Sequence, residues 1–220
     1  ITLLTQIRAQ NPDFRRVQVE EQLYQVYAQV ARELIAGADG SVETLRQAVA
    51  YLDEALTIRP ADQSLIQERR LTIGFVGGAD AFAQEQWAEA VAQWEEVYEA
   101  QPGYQNGILP SYLDQAYPNA ATELIARASG SISQLTLASR YLDRALATRP
   151  GDQRLIDERQ LVNDFLAGAD AYDEGNWDVA IARWGTAYEI RPDYQGGVLR
   201  ENLTEACEKS ESPDANICPP

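Results

Sequence analysis

The stretch YLDEALTIRPADQSLIQERR, residues 51–70, returns as YLDRALATRPGDQRLIDERQ, residues 141–160. The two copies start 90 positions apart (141 − 51 = 90). Two exposed loops have no physical reason to match so closely, so the repetition indicates one packing unit that the chain uses twice. The similarity extends from about residue 33 to residue 102 and again from 123 to 192.

Apolar residues recur at helical spacing inside each copy. Ala48, Leu52 and Ala55 lie four and three positions apart, which places them on one face of a helix. Ser41 is a suitable cap for that helix, and prolines at 60, 102, 150 and 192 are expected to end helices. The predicted helices are 19–36, 42–58, 62–84, 87–100, 109–127, 132–148, 152–174 and 177–190. No segment alternates like a strand.

Two stretches of the repeat carry a resemblance to a known family. GADAFAQEQWAEAVAQWEEVYEAQP, residues 78–102, and GADAYDEGNWDVAIARWGTAYEIRP, residues 168–192, resemble the tetratricopeptide repeat (TPR). The matching positions are Gly78/Gly168, Phe82/Tyr172, Ala90/Ala180, Trp94/Trp184, Val97/Ala187 and Pro102/Pro192. The segments ending at Pro60 and Pro150 match less closely. The spacing of the stops, 42 (102 − 60) and 48 (150 − 102), exceeds the usual period of about 34.

The resemblance implies an all-α fold, a right-handed α-solenoid of antiparallel helical hairpins. The expected hairpins are 19–60, 61–102, 109–150 and 151–192. Half units at 1–12 and 193–210 flank them in a single domain, 1–210, and a tail follows at 211–220. Because the chain begins at Ile1 and contains no Met, we expect it to be part of a longer bacterial protein, with further repeats or a membrane anchor upstream.

The charge balance restricts the expected partners. With 34 acidic and 18 basic residues, the net charge of −16 repels nucleic acid and anionic lipid headgroups. No apolar run is long enough to span a bilayer, so this segment is predicted not to insert into a membrane. The acidic balance favours a neutral or basic protein or peptide as the partner.

Catalytic chemistry has few candidate residues. The chain contains no His, which removes the usual general base and the usual metal ligand. No acid pair, nucleophile constellation or metal-ligand spacing stands out. The sequence therefore predicts a protein that is not an enzyme, with no catalytic residues, no cofactor and no metal.

Four aromatic residues are candidates for a partner-binding groove. The resemblance implies that the first helix of each hairpin lines a concave face, and those helices carry Phe75, Phe82, Phe165 and Tyr172. The members of each pair are seven residues, or about two turns, apart, so the four could form an aromatic track. The alternative is packing against the neighbouring hairpin, the usual role of aromatic residues at helical spacing.

The two cysteines lie near the C-terminal end of the chain, at Cys207 and Cys218. An isolated even pair is typical of one disulfide in an oxidising compartment, and two free thiols in the cytosol are the alternative. The sequence thus favours an interaction or assembly scaffold in the extracytoplasmic part of a larger protein. A regulatory domain of a membrane-anchored signalling enzyme such as a kinase, or an architectural subunit of a multi-chain complex, stays open.

Overall fold

The computed structural model describes residues 1–211, 213 and 217–218, and every regular element in them is helical. The α-helices are α1 Thr2–Gln10, α2 Arg16–Gly37, α3 Val42–Ile58, α4 Gln63–Ala83, α5 Trp87–Ala100, α6 Leu109–Ala128, α7 Ile132–Thr148, α8 Gln153–Asp173, α9 Trp177–Ile190 and α10 Val198–Lys209. Two short 3-10 segments occupy Tyr104–Gly107 and Tyr194–Gly197. The prediction of an all-α protein is confirmed for this part of the chain.

Local signals explain why the predicted bounds agree with the observed ones. The helices α3, α5, α7 and α9 begin and end at the predicted residues. Ser41 accepts a hydrogen bond from the Thr44 amide at 3.4 Å, as expected of its capping position. Asp62 caps α4 in the same way, through the amide of Leu65 at 3.1 Å. The two 3-10 segments were not predicted.

The chain forms two compact units, one comprising Ile1–Leu113 and the other starting at Asp114. In the first unit α1 packs on α2, α2 on α3, α3 on α4 and α4 on α5. In the second unit α7, α8, α9 and α10 pack in the same sequential way. Helix α6 begins in the first unit and ends in the second.

A tryptophan seated on a glycine lies at the centre of each unit. The indole N–H of Trp94 donates to the carbonyl oxygen of Phe75 at 3.1 Å, and the ring lies directly over Gly78. The equivalent residues of the second unit are Trp184, Phe165 and Gly168, with a bond of 2.9 Å. The glycine lets α4 approach α5, and α8 approach α9, closely enough for this bond to form.

A glutamine side chain, buried at Gln105 and half-buried at Gln195, joins distant segments in each unit. The Gln105 side chain donates to the Ile35 carbonyl at 2.8 Å and accepts from the Gly40 amide at 3.0 Å. It therefore satisfies backbone groups at the C-terminal end of α2 and in the turn that follows. The counterparts are Gln195, Ile125 and Gly130, at 3.0 Å for both bonds. We call each arrangement a glutamine clamp.

A tyrosine precedes the clamp glutamine in each unit, and the hydrogen bonding of its hydroxyl differs between the two units. The Tyr104 hydroxyl donates to Oγ1 of Thr72 at 2.9 Å. In the second unit Val162 stands where Thr72 stands in the first, and the buried Tyr194 hydroxyl has no hydrogen-bond partner among the described residues. Burial raises the pKa of Tyr194 to about 12.

These two tyrosines predict opposite outcomes for the same substitution. Tyr104→Phe is expected to lower the free energy of unfolding by about 1 kcal/mol, because a buried hydrogen bond is lost. Tyr194→Phe is expected to be neutral or stabilising, since it removes an unpaired buried hydroxyl. Urea denaturation of both variants measures the difference. Val162→Thr should stabilise the chain when Tyr194 is present and should not do so in the Tyr194→Phe variant. Equal losses of unfolding free energy for Tyr104→Phe and Tyr194→Phe would contradict the assignment of Tyr194 as the unpaired hydroxyl.

Candidate functional site

Two of the four residues of the predicted aromatic track have buried side chains. Phe75 is 0% exposed and Phe165 is 1% exposed, so neither offers side-chain surface to a partner. Phe82 is half-buried and packs against Trp87 and Trp94, with ring centroids 4.9 and 5.5 Å away. The track is therefore not a continuous surface.

Tyr172 is half-buried in the equivalent place, against Trp177 and Trp184 at 4.9 and 5.6 Å. Its hydroxyl donates to Glu205 of α10 and its ring lies under the Lys209 ammonium, 4.4 Å from the ring centroid. These contacts show where Phe82 and Tyr172 pack. Their use by a partner stays a prediction.

The accessible apolar surface of α4 lies on the face opposite the phenylalanines. Successive helical residues are rotated by about 100°, so Ile73 points about 200° away from Phe75. Ile66, seven residues before Ile73, shares its side of the helix. Their exposed fractions are 38% and 39%, so part of each side chain is accessible to a partner.

A groove runs along this face of α4, between α3 and α5. The cavity there has a volume of about 480 Å³, which is within the range of ligand-binding clefts. Its floor consists of Ile66, Arg69, Arg70, Leu71, Ile73 and Gly74, and its walls of Asp53, Leu56, Gln93, Glu96, Val97 and Ala100. We call it the α4 groove.

Ion pairs fix the two edges of the α4 groove. Arg69 pairs with Asp53 of α3, and Arg70 pairs with Glu96 of α5. Each arginine is thereby neutralised by a carboxylate on a wall helix, although such exposed pairs contribute little stability. Between them, Val97 of α5 packs directly over Gly74, where a β-carbon would lie 2.7 Å from the Cγ2 atom of Val97. The centre of the groove is consequently aliphatic and closely packed.

The second unit has a polar version of the same cavity. Asn163 replaces Ile73, Asp164 replaces Gly74 and Ala187 replaces Val97. The cavity of about 370 Å³ is lined by Ile156, Arg159, Gln160, Asn163, Asp164 and Arg183. Asp164 is 8% exposed and pairs with Arg183 at 3.3 Å. The two copies therefore differ in the chemistry of this surface.

Sequence reasoning missed the α4 groove, although a signal for it exists. Ile66 and Ile73 are seven residues apart, like the aromatic pair, but they belong to the other stripe of the helix. The useful signal is a difference between the two copies of the repeat. The first copy has the apolar pair Ile73 and Gly74, and the second has the polar pair Asn163 and Asp164 at the same positions. Larger exposed fractions occur at Leu3, Phe14 and Val17, but these residues do not line the cavity.

The C-terminal cysteines lie on the second unit. Cys207 of α10 is bonded to Cys218, with their Cα atoms 6.1 Å apart. Next to Cys218, Ile217 lies over Gly185 of α9, where even a β-carbon would overlap its Cγ2 atom. The first copy has Glu95 at the position of Gly185. Gly185 thus leaves space for the segment that contains Ile217, which only the second copy carries.

This contact predicts that Gly185→Ala loosens the C-terminal segment without unfolding the helices. The new methyl group displaces Ile217, while alanine favours the helix by up to about 1 kcal/mol relative to glycine. We expect several-fold faster reduction of the disulfide by dithiothreitol and an unchanged or higher midpoint of thermal unfolding. Alkylation and intact mass follow the thiols, with Thr186→Ala as the control on the exposed side of α9. Equal reduction rates would contradict the packing role of Ile217.

Neither metal sites nor membrane spans are found in the described part of the chain. No group of three or more potential metal-ligating side chains occurs in it. None of its helices combines the length and the apolar character needed to cross a bilayer.

The fold and the groove define the described part of the chain as all-helical, with an apolar surface groove between three of its helices. Comparisons with models of known protein families, with curated proteins and with solved structures found no match.

Proposed function

We propose that the chain is a non-enzymatic protein-interaction scaffold, a TPR-like right-handed solenoid that holds a segment of a partner protein in the α4 groove. The observation that supports this most directly is the pair of half-exposed isoleucines, Ile66 and Ile73, on the floor of a groove of about 480 Å³. Exposed apolar surface with a polar rim is typical of interaction sites. The sequential packing of neighbouring helices supports the solenoid.

An extracytoplasmic location is part of the proposal. The Cys207–Cys218 disulfide supports it, since such bonds persist mainly in oxidising compartments. The partner is proposed to be a protein rather than nucleic acid, because the net charge of −16 opposes contact with a phosphate backbone.

The chain supplies its own control for testing the groove. The variant Ile73→Asn, Gly74→Asp, Gln93→Arg, Val97→Ala places the four residues of the second unit on the first, and we call it the groove transplant. It leaves the net charge unchanged, because one acid and one base are added. Folding should be retained, since Asn163, Asp164, Arg183 and Ala187 already coexist in the second unit.

The experiment is a selection from a displayed library of helical peptides on the whole chain, followed by binding measurements on the groove transplant. Enriched peptides that lose at least about 10-fold in affinity on the transplant support docking in the α4 groove. Peptides that bind both proteins equally would place the site elsewhere. A selection that enriches no peptide would contradict the proposed function.

A further inference from the structure

We infer that the occupant of the α4 groove is an amphipathic α-helix whose apolar stripe is flanked by lysine or arginine. This inference rests on the proposed function and adds the partner's secondary structure and charge. It follows from the backbone of the groove, from its dimensions and from the charges on its walls.

The backbone of the groove excludes docking by strand addition. Floor and walls are α-helices, whose amides and carbonyls are bonded along their own helices. The groove therefore offers no row of main-chain donors and acceptors to an extended peptide. A partner that enters it loses water from its own backbone and must satisfy those groups internally, as a helix does.

The dimensions of the groove also fit a helix. From Ile66 to Gly74 the floor is about 12 Å long, slightly more than two helical turns. A partner helix can place apolar residues at i, i+4 and i+7 along such a length. Val97 fills the space over Gly74 and is 2% exposed, so the most exposed apolar side chains of the floor are Ile66 and Ile73. The anchors of the partner are expected over these two residues.

The wall charges favour a basic partner. Helix α5 carries Glu89, Glu95, Glu96 and Glu99 and no basic residue. Helix α3 carries three acids, Glu43, Asp53 and Glu54, against one base, Arg46. Arg69 and Arg70, on the floor, are already paired with Asp53 and Glu96. The ion pairs balance the charge of the lining itself, while carboxylates outnumber basic residues over the whole of α3 and of α5. Lys or Arg on both sides of the partner's apolar stripe is therefore favoured by the acidic residues of these helices beyond the lining.

The second unit lacks the combination of an apolar floor and acidic wall helices, so this combination is not a general property of the repeat. Helix α9, the counterpart of α5, carries two acids, Asp178 and Glu189, and directs Arg183 at the cavity. With Asp164 and Asn163 on the floor, that cavity is neither apolar nor strongly acidic. The inferred partner should consequently select the first unit over the second.

Three synthetic peptides test the inference. The first is an 18-residue stapled helix, as a designed length of about five turns, with Leu at i, i+4, i+7 and i+11 and Lys on both flanks. The second has Glu in place of every Lys. The third keeps the composition of the first but scatters the Leu residues around the helix, so it controls for attraction to a chain of net charge −16. Affinities for the wild-type chain and the groove transplant are measured by fluorescence anisotropy at two salt concentrations.

We expect the Lys-flanked helix to bind at least about 10-fold more tightly than either other peptide, and to lose this advantage on the groove transplant. Equal or tighter binding of the Glu-flanked helix, with the same sensitivity to the transplant, would overturn the charge inference and leave the proposed docking site standing. Equal binding of the scattered peptide would overturn the helix inference. Equal binding of the Lys-flanked helix to the wild-type chain and to the groove transplant would overturn the α4 groove as the docking site.

Discussion

Gly78→Ala is expected to lower the free energy of unfolding by about 3 kcal/mol. A β-carbon at this position would lie 2.9 Å from Cε2 of Trp94 and closer still to Cδ1 and Nε1 of the same ring. The indole is rigid and 2% exposed, so it can yield only by moving α5 and by giving up its bond to the Phe75 carbonyl. Overpacking and a lost buried hydrogen bond each cost about 1–3 kcal/mol, against a helical gain of up to about 1 kcal/mol for alanine.

Gly77→Ala is the matched control, one residue away in the same helix. A β-carbon at Gly77 would lie 3.4 Å from Oε1 of Gln93, the movable end of a flexible side chain. The second unit already has Ala167 at this position. Gly77→Ala should therefore be neutral or stabilising by up to about 1 kcal/mol. Guanidinium denaturation measures both variants, and similar effects at the two positions would show that close approach to Trp94 does not constrain Gly78.

The sequence was sufficient to place the helices because their ends are encoded locally. The prolines at 60, 102, 150 and 192 each follow the end of a helix, although Pro118 lies inside α6. Ser41 and Asp62 bind the first turn of the helices they precede. The apolar spacing of Ala48, Leu52 and Ala55 identified a buried face, and all three residues are 0% exposed. These features depend on neighbours within about one turn of helix.

The position of the candidate site could not be read in the same way. Helix α4 carries two apolar stripes, one through Phe75 and one through Ile66 and Ile73, and periodicity treats them alike. Which stripe is buried depends on where α3 and α5 pack, a long-range property. The prediction chose the aromatic stripe, and the structure buries Phe75 while leaving Ile66 and Ile73 half-exposed.

The glutamine clamps were missed because they join residues far apart in sequence. Gln105 and Ile35 are separated by 70 positions, and the glutamine has a left-handed backbone, with φ of 49°. Both features are invisible to helical periodicity. The only sequence signal was that YQ begins a glycine-containing segment at 104–107 and again at 194–197. This repetition gave no information about the residues that the glutamine binds.

Replacing a clamp glutamine is expected to have the next largest effect on stability. Gln105 is 7% exposed, and Gln105→Leu preserves its approximate size while removing both hydrogen-bonding groups. The Gly40 amide then loses its side-chain partner in a partly buried place, and the Ile35 carbonyl keeps only its bond from the Ala38 amide at 3.4 Å. Since an orphaned group costs about 1–3 kcal/mol, we expect a loss of about 2 kcal/mol.

The repeat provides the control for this prediction. Gln195→Leu removes the equivalent bonds to Ile125 and Gly130 and should cost a similar amount. Native-state hydrogen exchange separates the two variants, because local opening is reported amide by amide. Gln105→Leu should accelerate exchange of the Gly40 amide and leave Gly130 protected, whereas Gln195→Leu should do the reverse. If either variant kept its own glycine amide as well protected as the wild-type chain does, the glutamine would not be the group that holds the turn.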